Sequence, residues 1–501
     1  MVRGDTEAAF ARDDVVIVES CFRVGRQNHV SLEPRAVIAS YEDGRYHIET
    51  STQGPWTVRD ATAQLLGVPA SRVRVTVPPV GGGFGQKFDC TLEPYAAILA
   101  QKSGRPVRLV YTRQEEMLTC RCRENAEIKL RSAVTRSGDI LGREAVVLMD
   151  CGAYGGEQIF LTTMTAHTLG GNYRLGVVKL ASRAIYTNTP PNGAFRACNG
   201  VYNTFALERH TDEICQAIGM DPFAFRRKNV LRDGDVGATG QVFQGDVLGP
   251  MLDTMARIRN ASPARKPLAG NRLYGRATVV GTWFIFVGPA TATINLNADG
   301  GATLITAGVE LGQGTMVQSV PQIVAHELGI DLPVFSVHDC ELAVDAETGK
   351  VDILAYRVVQ DVGRAINPRA IRGQIQGGVT QGIGYALHEE LTIGAAGCMQ
   401  QNTLGVYRVP LAQDTIPVEA ELYEGAPWIG PLGVKEAGEI PIMCAPAAIA
   451  CAVANATGLR VQETPLTPPR VLGLILGREP ELTLRHISPD WWDNVFRRRN
   501  A

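Results

Sequence analysis

The stretch VGGGFGQKFD, Val80–Asp89, constrains this chain most, because four glycines admit backbone conformations that residues with a Cβ rarely adopt. It lies between a strand-like run, RVRVTVP, and a helix-like one, TLEPYAAILAQKSG, which ends at Gly104 as a C-cap. In that position successive backbone N–H groups and a helix N-terminus can face one anion or oxo group. Spacing excludes two common nucleotide loops. A P-loop counted from Gly81 needs glycine at Gln86 and a hydroxyl at Phe88, and the dinucleotide pattern G-x-G-x-x-G also fails at Gln86.

The rest of the chain repeats the scheme of strand, glycine-rich loop and helix. The first half holds hairpins turning at Asp43-Gly44 and Ser137-Gly138, and the helix VYNTFALERHTDEICQAIGM, predicted amphipathic with Phe205, Ile214 and Ile218 near one stripe. Pro, Gly, Ser and Arg accumulate over residues 260–272, where the domain boundary is expected. The second half is read as a hairpin turning at Asp299-Gly300, GVELGQGTMVQSVPQIVAHELGI as loop then helix, and the strand VDILAYRVVQDV. IRGQIQGGVTQGIGYALHEEL follows, its GQIQGG read as a loop before a helix. GPLGVKEAGEIP and the small-residue helix PAAIACAVANATG close the pattern.

Bulk properties remove several function classes. With 49 Lys and Arg against 51 Asp and Glu, the chain has no electrostatic footprint for nucleic acid or an anionic membrane. Eleven cysteines without a C-x-x-C pair read as reduced thiols of a cytoplasmic protein. The polar N-terminus is not a signal peptide, and no uninterrupted apolar run is expected to reach the ~18 residues of a membrane span. H-E-x-x-H and G-x-S-x-G are absent, which removes the usual zinc and serine chemistry.

Individual residues carry more. Glutamines recur in the loops, at Gln53, Gln86, Gln313 and Gln374. Neutral amides beside glycines can donate to oxo or phosphate oxygens, so together they suit a large polar cofactor, although each alone could cap its own turn. Arg196, in NGAFRACNG, has no sequence neighbour of opposite charge and could present its fork to a carbonyl or anion, or form a surface ion pair. Glu439 follows a glycine and precedes Ile-Pro, a setting in which partial burial would equip it as a general base. Glu436 is expected to be solvated.

In this order, STQGPW, GGGFGQK, GAFRACNG, GVELGQG, DVGRAINPRAIRGQIQGG, GVKEAGEIP and TPLTPPRV resemble the molybdopterin-binding large subunit of the molybdenum hydroxylases, the xanthine dehydrogenase and aldehyde oxidase family. The resemblance implies an α+β fold of two interwoven molybdopterin-binding α/β domains, expected over 1–259 and 273–476 with 477–501 as a tail. It implies that Gln53 hydrogen-bonds the metal's oxo group, that Phe84 and Gly85 line the metal with Gly83 binding the cofactor, and that Arg196 contacts substrate or cofactor beside it. Gly312, Gln313, Gln374 and Gly438 are then cofactor-binding, and Glu439 is the catalytic base. The implied reaction hydroxylates an electron-poor carbon with oxygen from water. The implied cofactor is molybdenum-molybdopterin in its cytosine dinucleotide form, and the implied partners are a small [2Fe–2S] subunit and an FAD-binding subunit in a dimer of heterotrimers.

Departures from the family narrow the substrate. Phe88 stands where purine-oxidising members carry a ring-recognising glutamate, Cys198 replaces a stacking aromatic, and Gly193 occupies the place of the copper-binding cysteine of carbon monoxide dehydrogenases. An N-heterocyclic aromatic or an aldehyde remains. Against the family pattern the chain is expected to lack an N-terminal hammerhead-like domain and an internal segment near 335–341. The alternative expectation is therefore a shortened, catalytically inactive assembly or cofactor-binding scaffold.

Overall fold

The computed structural model describes residues 1–262, 268–283, 292–296, 302–306, 308–316, 320, 334–394, 396–425 and 431–478. The Asp299-Gly300 turn, part of the 260–272 boundary, most of the helix expected after GVELGQG and nearly all of the tail lie outside them.

Among the described residues, three sheets of four or more strands organise the chain, beside a two-stranded one of Ala292–Leu296 and Ala302–Thr306. The largest has six strands in the order Val2–Arg3, Val177–Tyr186, Ile140–Gly152, Ala126–Thr135, Val15–Val24 and Glu463–Thr464. Its last strand comes from the far end of the chain and pairs in parallel with Arg23 and Val24, so the two halves share one sheet. A four-stranded sheet joins Arg272–Trp283, Val334–Asp345, Val351–Asp361 and Val418–Tyr423. Residues 335–341 lie within one strand there, paired with Arg272–Trp283 throughout and with Val351–Asp361 from Ser336 on. The third sheet orders Val73–Thr76, Arg45–Thr50, Ala36–Glu42 and Val107–Val110. Its hairpin turns at Asp43 and Gly44, with φ of 47° and 73°, the positive pair that matches strand twist in a two-residue turn.

Six helices position the site: α1 (Pro55–Leu66), α2 (Glu93–Ser103), α3 (Gln158–Gly170), α4 (Gly200–Ile218), α5 (Pro368–Leu387) and α6 (Ile440–Thr457). The expected one-sided burial of α4 is wrong. Every residue from Gly200 to Thr211 is buried, because α4 lies between the first sheet and α6. Its polar residues are partnered inside: Glu208 accepts from Arg226 at 2.7 Å and from the Tyr173 hydroxyl at 2.6 Å, and His210 lies between Ser20 and Ser132.

GQIQGG is also corrected, from loop to helix interior: Gln374 sits in the second turn of α5. Its glycines serve contact rather than punctuation. A Cβ at Gly378 would stand 2.6 Å from the Pro441 Cβ, and one at Gly382 would stand 2.5 Å from the Ala445 Cβ, so α5 and α6 approach closely. Helix α6 is long and apolar enough on average to cross a membrane, although Asn455 and Thr457 interrupt its apolar run, and 83% of it is buried against the second sheet, α4 and α5. One hydrophobic core runs from Val18 to Val471 through both halves.

Candidate active site

All ten residues chosen from the sequence line one cavity of about 770 Å³: Gln53 before α1; Gly83, Phe84 and Gly85; Arg196 before α4; Gly312 and Gln313; Gln374 on α5; and Gly438 with Glu439 at the start of α6. Phe88, Phe160, Cys198 and Gln381 complete the wall that matters chemically.

The glycine loop is shaped by close approach. Phe84 and Gly85 have φ of 55° and 103°, and a Cβ at Gly85 would strike the Ala194 carbonyl, while one at Gly83 would strike the Gln53 amide. Gln53 Oε1 accepts from the N–H of Gly85 at 2.9 Å and of Lys87 at 3.3 Å. With its oxygen so committed, the amide turns its Nε2 the other way. Gln86 departs from the pattern: it is buried away from the cavity, its side-chain atoms without hydrogen-bond partners among the described residues.

The opposite wall is a second strained turn. Ala197 and Cys198 have φ of 59° and 40°, so three of the six non-glycine residues with positive φ among the described residues gather at this site. Such strain persists only where surrounding structure over-determines it, and it concentrates at functional sites. Here Arg123, fully buried, holds the turn from behind: it donates to the carbonyls of Cys198 and Arg196 and lies 4.6 Å over the Phe195 ring.

Arg196 spends its fork on protein acceptors. Nε donates to the Gly438 carbonyl at 2.5 Å, Nη1 to Gln381 Oε1 at 2.9 Å, and Nη2 to the Gln374 carbonyl and Oε1 at 3.1 and 3.0 Å. One guanidinium thereby ties the turn before α4 to α5 and to the start of α6. Burial pushes it down to about 10, against the pull of Glu436 and Glu439.

Glu439 occupies the N-cap position of α6, but its side chain leaves the helix. Oε2 accepts from the Trp283 indole at 2.6 Å and Oε1 from the Ala197 N–H at 3.2 Å. A carboxylate has about four acceptor positions, so capacity remains toward the cavity. Trp283, in GTWFIF, was missed because nothing local marks an indole as a donor to residue 439. Glu436, expected in solvent, instead accepts from the Gly438 and Glu439 N–H groups, with its Oε2 covered.

Gln313 bonds its own turn at both ends, accepting from Leu311 N at 2.6 Å and donating to Val309 O at 3.1 Å. On α5, Gly373 and Gly377 lie four residues apart on the cavity face, and an added Cβ at either would meet open space.

Two stretches match the molybdopterin cofactor-binding domain family, residues 1–230 and 332–416. The chain belongs to the molybdenum hydroxylase large-subunit family. It is 28% identical over 438 residues to a probable xanthine dehydrogenase subunit of Bacillus subtilis (strain 168), spanning 82% of this chain and 57% of that one. It is 31% identical over 258 residues to the nicotinate dehydrogenase large molybdopterin subunit of Eubacterium barkeri, spanning 51% of this chain and 60% of that one. The solved aldehyde oxidoreductase of Desulfovibrio gigas superposes with a TM-score of 0.88 at 26% identity, covering 95% of this chain and 63% of that chain. The chain spans about three fifths of the length of these relatives.

The cavity fits the family's cofactor. Its wall is bared at Gly312, Gly373 and Gly377, where a side chain would project into free space, and its Gln53 amide is a donor held by the loop. Among the described residues no three His, Cys, Asp or Glu side chains gather to bind a metal by themselves.

Proposed function

We propose that the chain forms the molybdenum site of a hydroxylase acting on an electron-poor carbon of an N-heterocyclic aromatic or an aldehyde, with Glu439 as general base. The observation that carries this reading is the carboxylate of Glu439, held between the Trp283 indole and the Ala197 N–H on the wall of the cavity that Gln53, Phe84 and Gly85 also line. A scaffold without chemistry would not need two strained turns and a buried arginine to hold that geometry.

A bound molybdenum-molybdopterin group, in its cytosine dinucleotide form, would supply two-electron redox chemistry with water as oxygen source. Gln53 Nε2 and the backbone at Phe84 and Gly85 would face its metal end, and Gly312, Gln313, Gln374 and Gly438 its pterin and phosphate end. Arg196 keeps Gly438 and Gln374 in register, so its part is to hold the pocket's shape beside the metal. Glu439 takes the proton released as oxygen reaches the substrate, a contribution typically worth about 10²–10⁴-fold in rate.

The mouth is neutral and aromatic at Phe88 and Phe160, which favours an uncharged planar ring or an aldehyde over an anionic purine. Of the relatives above, the one named for aldehydes lies within that range, and the one named for nicotinate acts on an N-heterocyclic aromatic that carries a carboxylate. Electrons would leave through a [2Fe–2S] subunit and an FAD-binding subunit, in keeping with relatives named as subunits of complexes. The test is to purify the chain with its partners, measure molybdenum, and follow dye reduction with both substrate classes. Stoichiometric metal with turnover that Glu439→Gln abolishes is expected. Turnover retained in that variant sinks the assigned base, and absence of both metal and turnover sinks the enzymatic reading.

A further inference from the structure

We propose that Glu436 is a second functional carboxylate of this site, a positioning residue that orients Glu439 through the backbone and holds a proton on its covered oxygen. The inference rests on the reading of Glu439 as the base. Glu436 Oε1 accepts from the backbone N–H of Gly438 and of Glu439, the latter at 2.6 Å, and so fixes the turn that delivers Glu439 to the cavity. Its Oε2 is covered and has no hydrogen-bond partner among the described residues. An ionised oxygen in that position forgoes both solvent and donors; a protonated one does not suffer the same loss.

The groups around it act in opposite directions. Glu439 faces it from the same turn with like charge, and Arg196 faces it from the turn before α4. From the strand Val351–Asp361, neutral Gln360 donates to the Ala437 carbonyl at 3.2 Å, and Asp361 is held by Lys435 at 2.7 Å. Burial first and the Glu439 charge second push Glu436 up to about 7, and the two N–H groups and Arg196 oppose this without cancelling it. Glu436 therefore keeps its proton well above the ordinary carboxyl range and gives it up around neutrality.

Trp283 reports on this pair without any cofactor, because its indole donates to Glu439 Oε2. With 5-fluorotryptophan incorporated at the chain's five tryptophans, the Trp283 resonance, assigned through Trp283→Phe, is followed by ¹⁹F NMR from pH 4 to 9. The wild type is expected to show a step near pH 7. Glu436→Gln keeps an oxygen for the two N–H groups and removes the proton, so the step disappears while the circular dichroism spectrum is unchanged. Glu439→Gln removes the like charge, so the step remains and moves to lower pH. A Glu436→Gln titration superimposable on wild type overturns the proposal, as does a wild type with no step or a step lost only in Glu439→Gln. None of these outcomes depends on turnover, so failure here is distinct from failure of the proposed activity.

Discussion

Arg196 and Trp283 show how much a single side chain decides here. A lysine at 196 would keep a charge but lose the planar fork that spans four acceptors on two segments. Arg196→Lys is therefore expected to fold and to lose cofactor, read as molybdenum per chain against circular dichroism. Trp283→Phe removes a donor to a charged oxygen. Such bonds contribute about 1.5–3 kcal/mol, a loss that urea unfolding should register together with a lower kcat. Glu439 was legible because its flanking residues announce partial burial. Glu436 was not, since its environment is made by Arg196 and by a backbone turn that no local pattern reveals.

The glycines of α5 divide into two sets with opposite expected effects. Gly378 and Gly382 face α6, so Gly382→Leu overpacks the contact and should cost about 1–3 kcal/mol or more in denaturant unfolding. Gly373 and Gly377 face open space in the cavity. Gly377→Ala should raise stability by about 0.5–1 kcal/mol through helix propensity while lowering cofactor content, because its methyl enters the volume the cofactor would fill. A variant that gains both stability and molybdenum would contradict this division. Reading GQIQGG as a loop failed for the same physical reason: glycine breaks isolated helices, but in a helix pressed against another it is what permits close approach. The one-sided reading of α4 failed because the first sheet covers it on one side and α6 on the other.

At the scale of the molecule, buried titratable groups set the response to pH. His29 and His338 are pushed down to about 3 by burial, and His210 well below its ordinary value. The folded chain refuses protons that the unfolded chain binds below about 6.5, so stability falls as pH drops, by up to about 1.4 kcal/mol per pH unit for each histidine. Glu389 and Glu436 are pushed up to about 7 by burial. They hold protons that the unfolded chain releases above about 4.5, so their contribution declines as pH rises from there to 7. Thermal melts should be most stable near pH 6.5 and lose stability most steeply below about 4.5, where the histidines act unopposed by these carboxyls. A maximum above pH 8 would show that other groups dominate. The shared sheet and continuous core also explain why residues from both halves can meet in one cavity.

The sequence alone determined the conformations that local sterics dictate. Asp43-Gly44 had to turn, Gly104 had to cap a helix, and the glycines around Phe84 had to lie where backbone approaches backbone. Its ordered motifs also named ten residues that line one cavity. What only the tertiary structure decided is which groups face each other across long stretches of chain: Trp283 with Glu439, 156 residues apart, and Arg196 with Gly438, 242 apart. Burial and hydrogen-bond partnership depend on packing between distant segments, and a carboxylate's role depends on those two quantities more than on its neighbours in sequence.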